Sequence, residues 1–191
     1  MLKKSPGMLA LIIWATVGIG GCASRWADGN SGVAKAGDAR DQFVAVLNGL
    51  CGHRFEGEMT YPADPKHDFA GKRLVAEFTT CSNAVVRVPF QVGEDRSRTW
   101  VFTRTATGLQ LQHDHRHADG TPDAVTLYGG MASTRGSSLV QSFAADAYTA
   151  KLIPGAATNV WTLSASADGK TLTYHLERDA KPRFTAVLKR K

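Results

Sequence analysis

The sequence predicts an all-β domain, an antiparallel up-and-down β-barrel of about ten strands with one short N-terminal helix. Three observations carry that expectation. From residue 53 onward apolar and polar residues alternate with a period of two, as in strands whose two faces meet different surroundings. The runs are short, and most are separated by two to five residues of turn-forming type, which suits neighbouring strands pairing in order. After residue 50 no segment has the helical length that a crossover between parallel strands requires. A meander must hide its edges, and closure into a barrel removes them. A β-sandwich is the alternative, kept open by the long connection AADAYTAKLIPGAAT at 144–158, which reads equally as a short helix over a barrel mouth.

The elements follow in chain order. MLKK supplies a positive start and MLALIIWATVGI an apolar run short for a spanning helix, so residues 1–21 read as a signal peptide. Residues 22–38 are small and polar without a period and read as a flexible tether. In DARDQFVAVLNGLCG, Phe43, Val46, Leu47 and Leu50 recur at helical spacing and Gly49 and Gly52 mark a stop, predicting a helix over about 39–50 docked by one stripe. Strands then follow from HRFEGEMTY. KRLVAEFTTC aligns Leu74, Ala76 and Phe78, and AVVRVPFQV aligns Val86, Val88, Phe90 and Val92. Pro89 lacks a ladder donor and places its part of the strand at an edge, bulge or rim. GEDR at 93–96 turns into SRTWVFTRT, TATG at 105–108 turns into LQLQHDHRH, and DGTPD at 119–123 precedes AVTLYGG. NVWTLSAS, TLTYHLERD and RFTAVLKR complete a single domain over 39–191.

IGGC, residues 19–22, resembles the lipobox of bacterial lipoproteins, in which cleavage precedes the cysteine and its sulfur takes diacylglycerol. The resemblance implies that Cys22 is the lipidated residue and that membrane lipid is a partner through its acyl chains. Ala23 after it, rather than an aspartate, implies the outer membrane of a Gram-negative envelope, with the domain in the periplasm. A single acyl chain holds only reversibly, whereas the three of a mature lipoprotein hold firmly. Cleavage there leaves 170 of 191 residues, enough for one domain with a core and short for two. With Cys22 committed, Cys51 and Cys81 remain, and an even pair in an exported chain is most simply a disulfide. Two separately buried thiols are the alternative. Loss of Lys3 and Lys4 with the leader leaves 21 basic residues against 17 acids, a side-chain balance of +4. The basic residues are dispersed, with no basic helix or arginine-aromatic stripe, so nucleic acid is not an expected partner.

The most unusual stretch is LQLQHDHRHADG, residues 109–120. In a strand His113, His115 and His117 continue the face of Leu109 and Leu111, opposite Gln110, Gln112, Asp114 and Arg116. Neutral imidazole ligates zinc, nickel and copper, so His113, His115 and His117 are metal candidates. Three on one straight strand span roughly 13 Å and cannot share one ion unless the strand bends, so two of them with a ligand from another strand is the feasible form. Without that closed ligand set no cofactor is expected, and zinc is the alternative. The structural reading makes the histidines semi-buried groups whose nitrogens are satisfied by Asp119, Asp123, Tyr128 or backbone. Arg104 shares the parity of Trp100 and Phe102 and is the basic group expected to face a cavity; with His113, His115, His117 and Tyr128 it forms the candidate ligand-binding set. Trp100, Phe102, Tyr128, Trp161 and Tyr174 are expected to fill the barrel, with room for a residual pocket. YGG at 128–130 permits a sharp bend or a close backbone approach. GxGxxG, P-loop and GxSxG patterns are absent.

An up-and-down barrel with a helix at one end resembles the lipocalin and fatty-acid-binding superfamily in architecture. HDHRHADG followed by DAVTLYGG also resembles a pattern of uncharacterised exported bacterial proteins, over roughly residues 97–190; it implies a fold and transfers no catalytic residue. The functional expectation is a non-enzymatic, envelope-anchored lipoprotein that binds a small molecule or another envelope protein. A metal-dependent hydrolase built on the histidine run, and a periplasmic inhibitor or immunity protein, are the alternatives.

Overall fold

The computed structural model describes residues 37–191. The signal peptide, the lipobox with Cys22 and the tether as far as residue 36 lie outside the described residues.

Helix α1 (Ala39–Gly49) starts where Asp38 accepts the backbone N–H of Arg40, a side-chain cap on a group the helix cannot satisfy internally. Its buried face is Phe43, Val44 and Leu47, with Leu50 just beyond; Val46, expected in the stripe, is half-buried at its margin. Eleven strands follow: β1 (Arg54–Tyr61), β2 (Leu74–Glu77), β3 (Thr80–Cys81), β4 (Val85–Val92), β5 (Asp95–Thr105), β6 (Gly108–His115), β7 (Tyr128–Ala132), β8 (Val140–Ala145), β9 (Val160–Ala165), β10 (Thr171–Arg178) and β11 (Lys181–Arg190). Between β8 and β9 lie helix α2 (Ala147–Leu152) and a 3-10 turn (Pro154–Ala156).

All pairings within the sheet are antiparallel and between neighbours, and β1 pairs with β11 to close the sheet. β2 and β3 both pair with β4 and occupy one place on the circumference, so the barrel has ten positions. Closure excludes the sandwich. The break between β2 and β3 explains Pro89: β4 pairs with β2 at Phe90 and beyond and with β3 at Arg87 and before, so the residue without an N–H faces the gap.

Alternation along the strands puts a continuous apolar cluster inside. Helix α1 plugs one end, where Phe43 meets Phe102 edge-on at 6.4 Å between ring centroids. Cys51, just past the helix, is disulfide-bonded to Cys81 of β3 across a sequence separation of 30. That cross-link ties the plug to the wall and adds roughly 2–4 kcal/mol, mainly by restricting the unfolded chain. The other end is a mouth, reached by the segment 62–73, the β6–β7 connection and the β10–β11 turn. Helix α2 also lies toward this end and braces β7, its Thr149 hydroxyl bonding both the N–H and the carbonyl of Gly129. The double glycine of YGG serves close approach: a Cβ on Gly130 would fall 1.7 Å from the carbonyl oxygen of Ala144, and one on Gly129 1.9 Å from that of Leu111.

Candidate functional site

β6 brings His113 inward, opposite Trp100 of β5 and Tyr128 of β7. The side chain is sealed, with 5% of its surface exposed. Nδ1 lies 3.1 Å from the backbone carbonyl of Tyr128, which can only accept, so Nδ1 carries the proton. Nε2 is then the acceptor for the Tyr174 hydroxyl at 2.6 Å. Burial pushes the imidazole down to about 3, outweighing the opposing pull of the Tyr128 carbonyl, with His115 lowering it further. His113 is therefore neutral, with both nitrogens committed to protein partners.

His115, two residues on, is half-buried on the same face. Its Nε2 is 3.0 Å from the Tyr128 hydroxyl, and its backbone N–H donates to the Thr126 hydroxyl at 2.7 Å. Burial, then the nearby Arg98 guanidinium, hold its pKa below the usual imidazole range. Burial raises Tyr128 to about 12 and Tyr174 well above its ordinary value, so both phenols stay protonated. Around them the aromatic rings pack in contact: Phe90 stacks on Trp100 at 4.4 Å, Trp100 lies 4.5 Å from Tyr174, and His113 stacks on Tyr128 at 4.7 Å.

The third histidine departs from expectation. β6 ends at His115, and the N–H of His117 donates to the Thr121 carbonyl inside the turn, leaving the His117 side chain exposed. The turn begins one residue too early for His117 to point into the barrel. Asp119 and Asp123 do not reach the imidazoles; they accept the backbone N–H groups of Thr121 and Val125, as turn carboxylates do. Among the described residues no group of three His, Cys, Asp or Glu side chains could hold a metal ion.

Arg104 has the expected inward parity but lies at the plugged end, ion-paired with Asp41 of α1. The arginine that lines the chamber is Arg98, six positions earlier on the same strand and opposite His115. Its guanidinium pairs with Asp95 and sits 5.4 Å from the centroid of Phe69. The signal for it was present, because Arg98, Trp100 and Arg104 share one parity; what the sequence lacked was the end at which the helix docks. Asp114 faces outward yet is only 3% exposed, because the β6–β7 connection folds across it. Burial pushes its carboxyl up, but Arg87 at 2.8 Å and Arg116 at 3.1 Å outweigh that and hold it low.

The segment 62–73, between β1 and β2, completes the mouth. Within it the Phe69 N–H donates to Nδ1 of His67, and the His67 ring stacks on Phe184 at 5.8 Å. The result is a chamber of about 210 Å³ walled by Phe69, Phe90, Trp100, Trp161, Tyr174 and Phe184, with His113, His115 and Tyr128 as polar groups and Arg98 at the rim. A larger groove of about 610 Å³ runs along the outside of β1 and β11, but its lining of Glu56, Glu58, Lys72, Arg73 and Lys189 is charged and open. Mostly apolar walls with a few convergent polar groups are the pattern of small-molecule sites, so the chamber, partly open to solvent, is the candidate.

No protein-family model and no curated protein matches this chain. The functional reading therefore rests on the chamber's own chemistry. Its lining contains no Ser, Thr, Cys, Asp or Glu; its hydroxyls are the phenols of Tyr128 and Tyr174, which are hydrogen-bonded to His115 and His113.

Proposed function

We propose that this chain is a lipid-anchored binding protein of the Gram-negative cell envelope, and that its barrel mouth holds a small molecule. The observation that carries the binding part is the aromatic chamber of about 210 Å³ above an otherwise filled barrel. Its size is below the roughly 300–1,000 Å³ of drug-sized sites, which suits a ligand of about one ring with substituents. Binding rather than turnover is supported by the commitment of both His113 nitrogens to protein groups and by the pairing of the Tyr128 and Tyr174 hydroxyls with His115 and His113. Anchoring is supported by IGGC and by the disulfide, a bond typical of exported domains.

Saturation-transfer NMR of the purified protein with indole, phenol, phenylacetate and 3-phenylpropionate tests the binding part. At least one probe should bind saturably, and Leu176→Trp, which places a bulky side chain in the lining, should abolish that binding. If none of the probes binds, the small-molecule reading falls. Anchoring is tested separately by Cys22→Ser, which removes the thiol used in maturation and should move the protein from the membrane pellet to the soluble fraction. Unchanged membrane retention with the same acylated peptide mass would defeat it.

A further inference from the structure

Beside the chamber lies a second cavity of about 410 Å³, an open shelf that shares His67, Leu176 and Phe184 with it. The two are therefore adjacent compartments separated by three side chains. Their characters differ. The inner one is aromatic, whereas the shelf is lined by Arg178, Arg183 and Asp64 together with Tyr61 and two prolines.

The charges on the shelf are unbalanced. Among the described residues neither Arg178 nor Arg183 has a carboxylate within ion-pair distance; Arg178 donates through Nε to the Asn159 side-chain carbonyl at 2.8 Å, a neutral partner. Asp64, the single acid there, accepts the backbone N–H of Lys66 and so has a partner of its own. By contrast Arg98, at the rim of the inner chamber, is already paired with Asp95.

Resting on the small-molecule reading above, we propose that chamber and shelf form one site for a compact amphipathic acid, with its ring in the aromatic chamber and its carboxylate on Arg178 and Arg183. The opposite orientation is unfavourable. A carboxylate inside would lose its hydration beside a neutral imidazole and phenols, with the nearest guanidinium already spent on Asp95, and an unpaired buried charge is among the costliest states a protein can hold. On the shelf the same group keeps part of its water and gains charge-assisted hydrogen bonds from planar guanidinium donors. The small chamber also selects a ring over a long acyl chain.

The test compares 3-phenylpropionate with its neutral analogue 3-phenylpropanamide by calorimetry, on wild-type protein and on Arg178→Gln/Arg183→Gln. The acid should bind about tenfold more tightly than the amide, and the double variant should level the two while leaving the amide unchanged. Raising the salt concentration should weaken the acid alone. Decanoate, with its acyl chain, should bind more weakly than 3-phenylpropionate. Equal affinity for acid and amide in the wild type would overturn the inference and leave the small-molecule reading standing. A preference for the acid that survives the double variant and disappears in Arg98→Gln would also overturn it, placing the anion inside. If neither phenylpropyl probe binds but indole or phenol does, the ligand class is wrong; if no probe binds, the chamber reading fails with it.

Discussion

Acidification from neutral pH to about pH 4 should cost this protein about 3 kcal/mol of stability through His113 alone. The imidazole has a folded-state pKa of about 3 against an ordinary value of 6.5. Between those values the unfolded chain binds a proton that the folded one refuses. Stability from this residue is thus complete above the unfolded pKa, and it is lost as the pH falls toward the folded pKa, at about 1.4 kcal/mol per pH unit. The dominant cause is burial: a charged imidazole here would be dry, beside a second imidazole. Urea unfolding at a series of pH values measures the slope. His113→Gln, which retains a donor and an acceptor, should be flatter by about one proton over that window. His115 also has a lowered pKa but is present in both proteins, so it largely cancels in the difference. Asp114 has a depressed pKa as well, and its contribution begins to be lost only below its ordinary value of 3.8. Parallel slopes in wild type and variant would show that His113 is charged or hydrated in the folded state.

Much of this arrangement can be read from residue order, and the limits have physical reasons. Period-two alternation and short turns are local signals, and they led to about ten strands and a barrel, both of which the fold contains; Pro89, expected at an edge, bulge or rim, lies at the gap between β2 and β3. The disulfide followed from cysteine count. Parity gave the face of His113 and His115 correctly, because a strand cannot place i and i+2 on different sides. It failed at His117, where a backbone bond to Thr121 ends the strand, a competition between ladder and turn that alternation does not encode. Arg104 and Arg98 show a different limit. Parity states which side of a wall a residue faces but not how far along the barrel axis it lies, and that distance decides whether it meets Asp41 of the plug or the mouth.

The wall of the chamber was hardest to foresee where it comes from outside the strands. His67 and Phe69 belong to a segment without regular structure, and nothing in PADPKHDFAGK announces that it folds over a barrel. Its placement depends on tertiary contacts, with His67 on Phe184 and Phe69 under Arg98. Segments of this kind carry ligand contacts in many proteins because a rigid scaffold positions them while their own sequence is free to vary. Here the scaffold is the closed sheet, and His67 of the segment, with Leu176 and Phe184 of the sheet, separates the chamber from the shelf.

Trp100→Ala should be the most destabilising single change at the chamber, at about 3–5 kcal/mol, a large fraction of the roughly 5–15 kcal/mol that holds a typical domain. Trp100 is buried between Phe90 and Tyr174, with His113 opposite it on the next strand. Two effects add. The indole's transfer from water is lost, and the void persists because β5 is pinned between the β4 and β6 ladders and cannot collapse inward. The urea midpoint should fall with little change in the denaturant slope, since the folded sheet remains closed. Indole supplied in solution should then raise the melting temperature of the variant more than that of the wild type, because a dry void shaped by a missing side chain binds a ligand of that shape, and binding to the folded state alone stabilises it. A loss below about 1 kcal/mol would mean that the neighbouring rings close over the gap, in which case the chamber is a plastic part of the core rather than a formed site. A full loss without indole rescue would point to collapse of the Tyr174–His113 pair, and the distinction can be read from the same melting curves by adding Tyr174→Phe, which removes that hydrogen bond while keeping the ring.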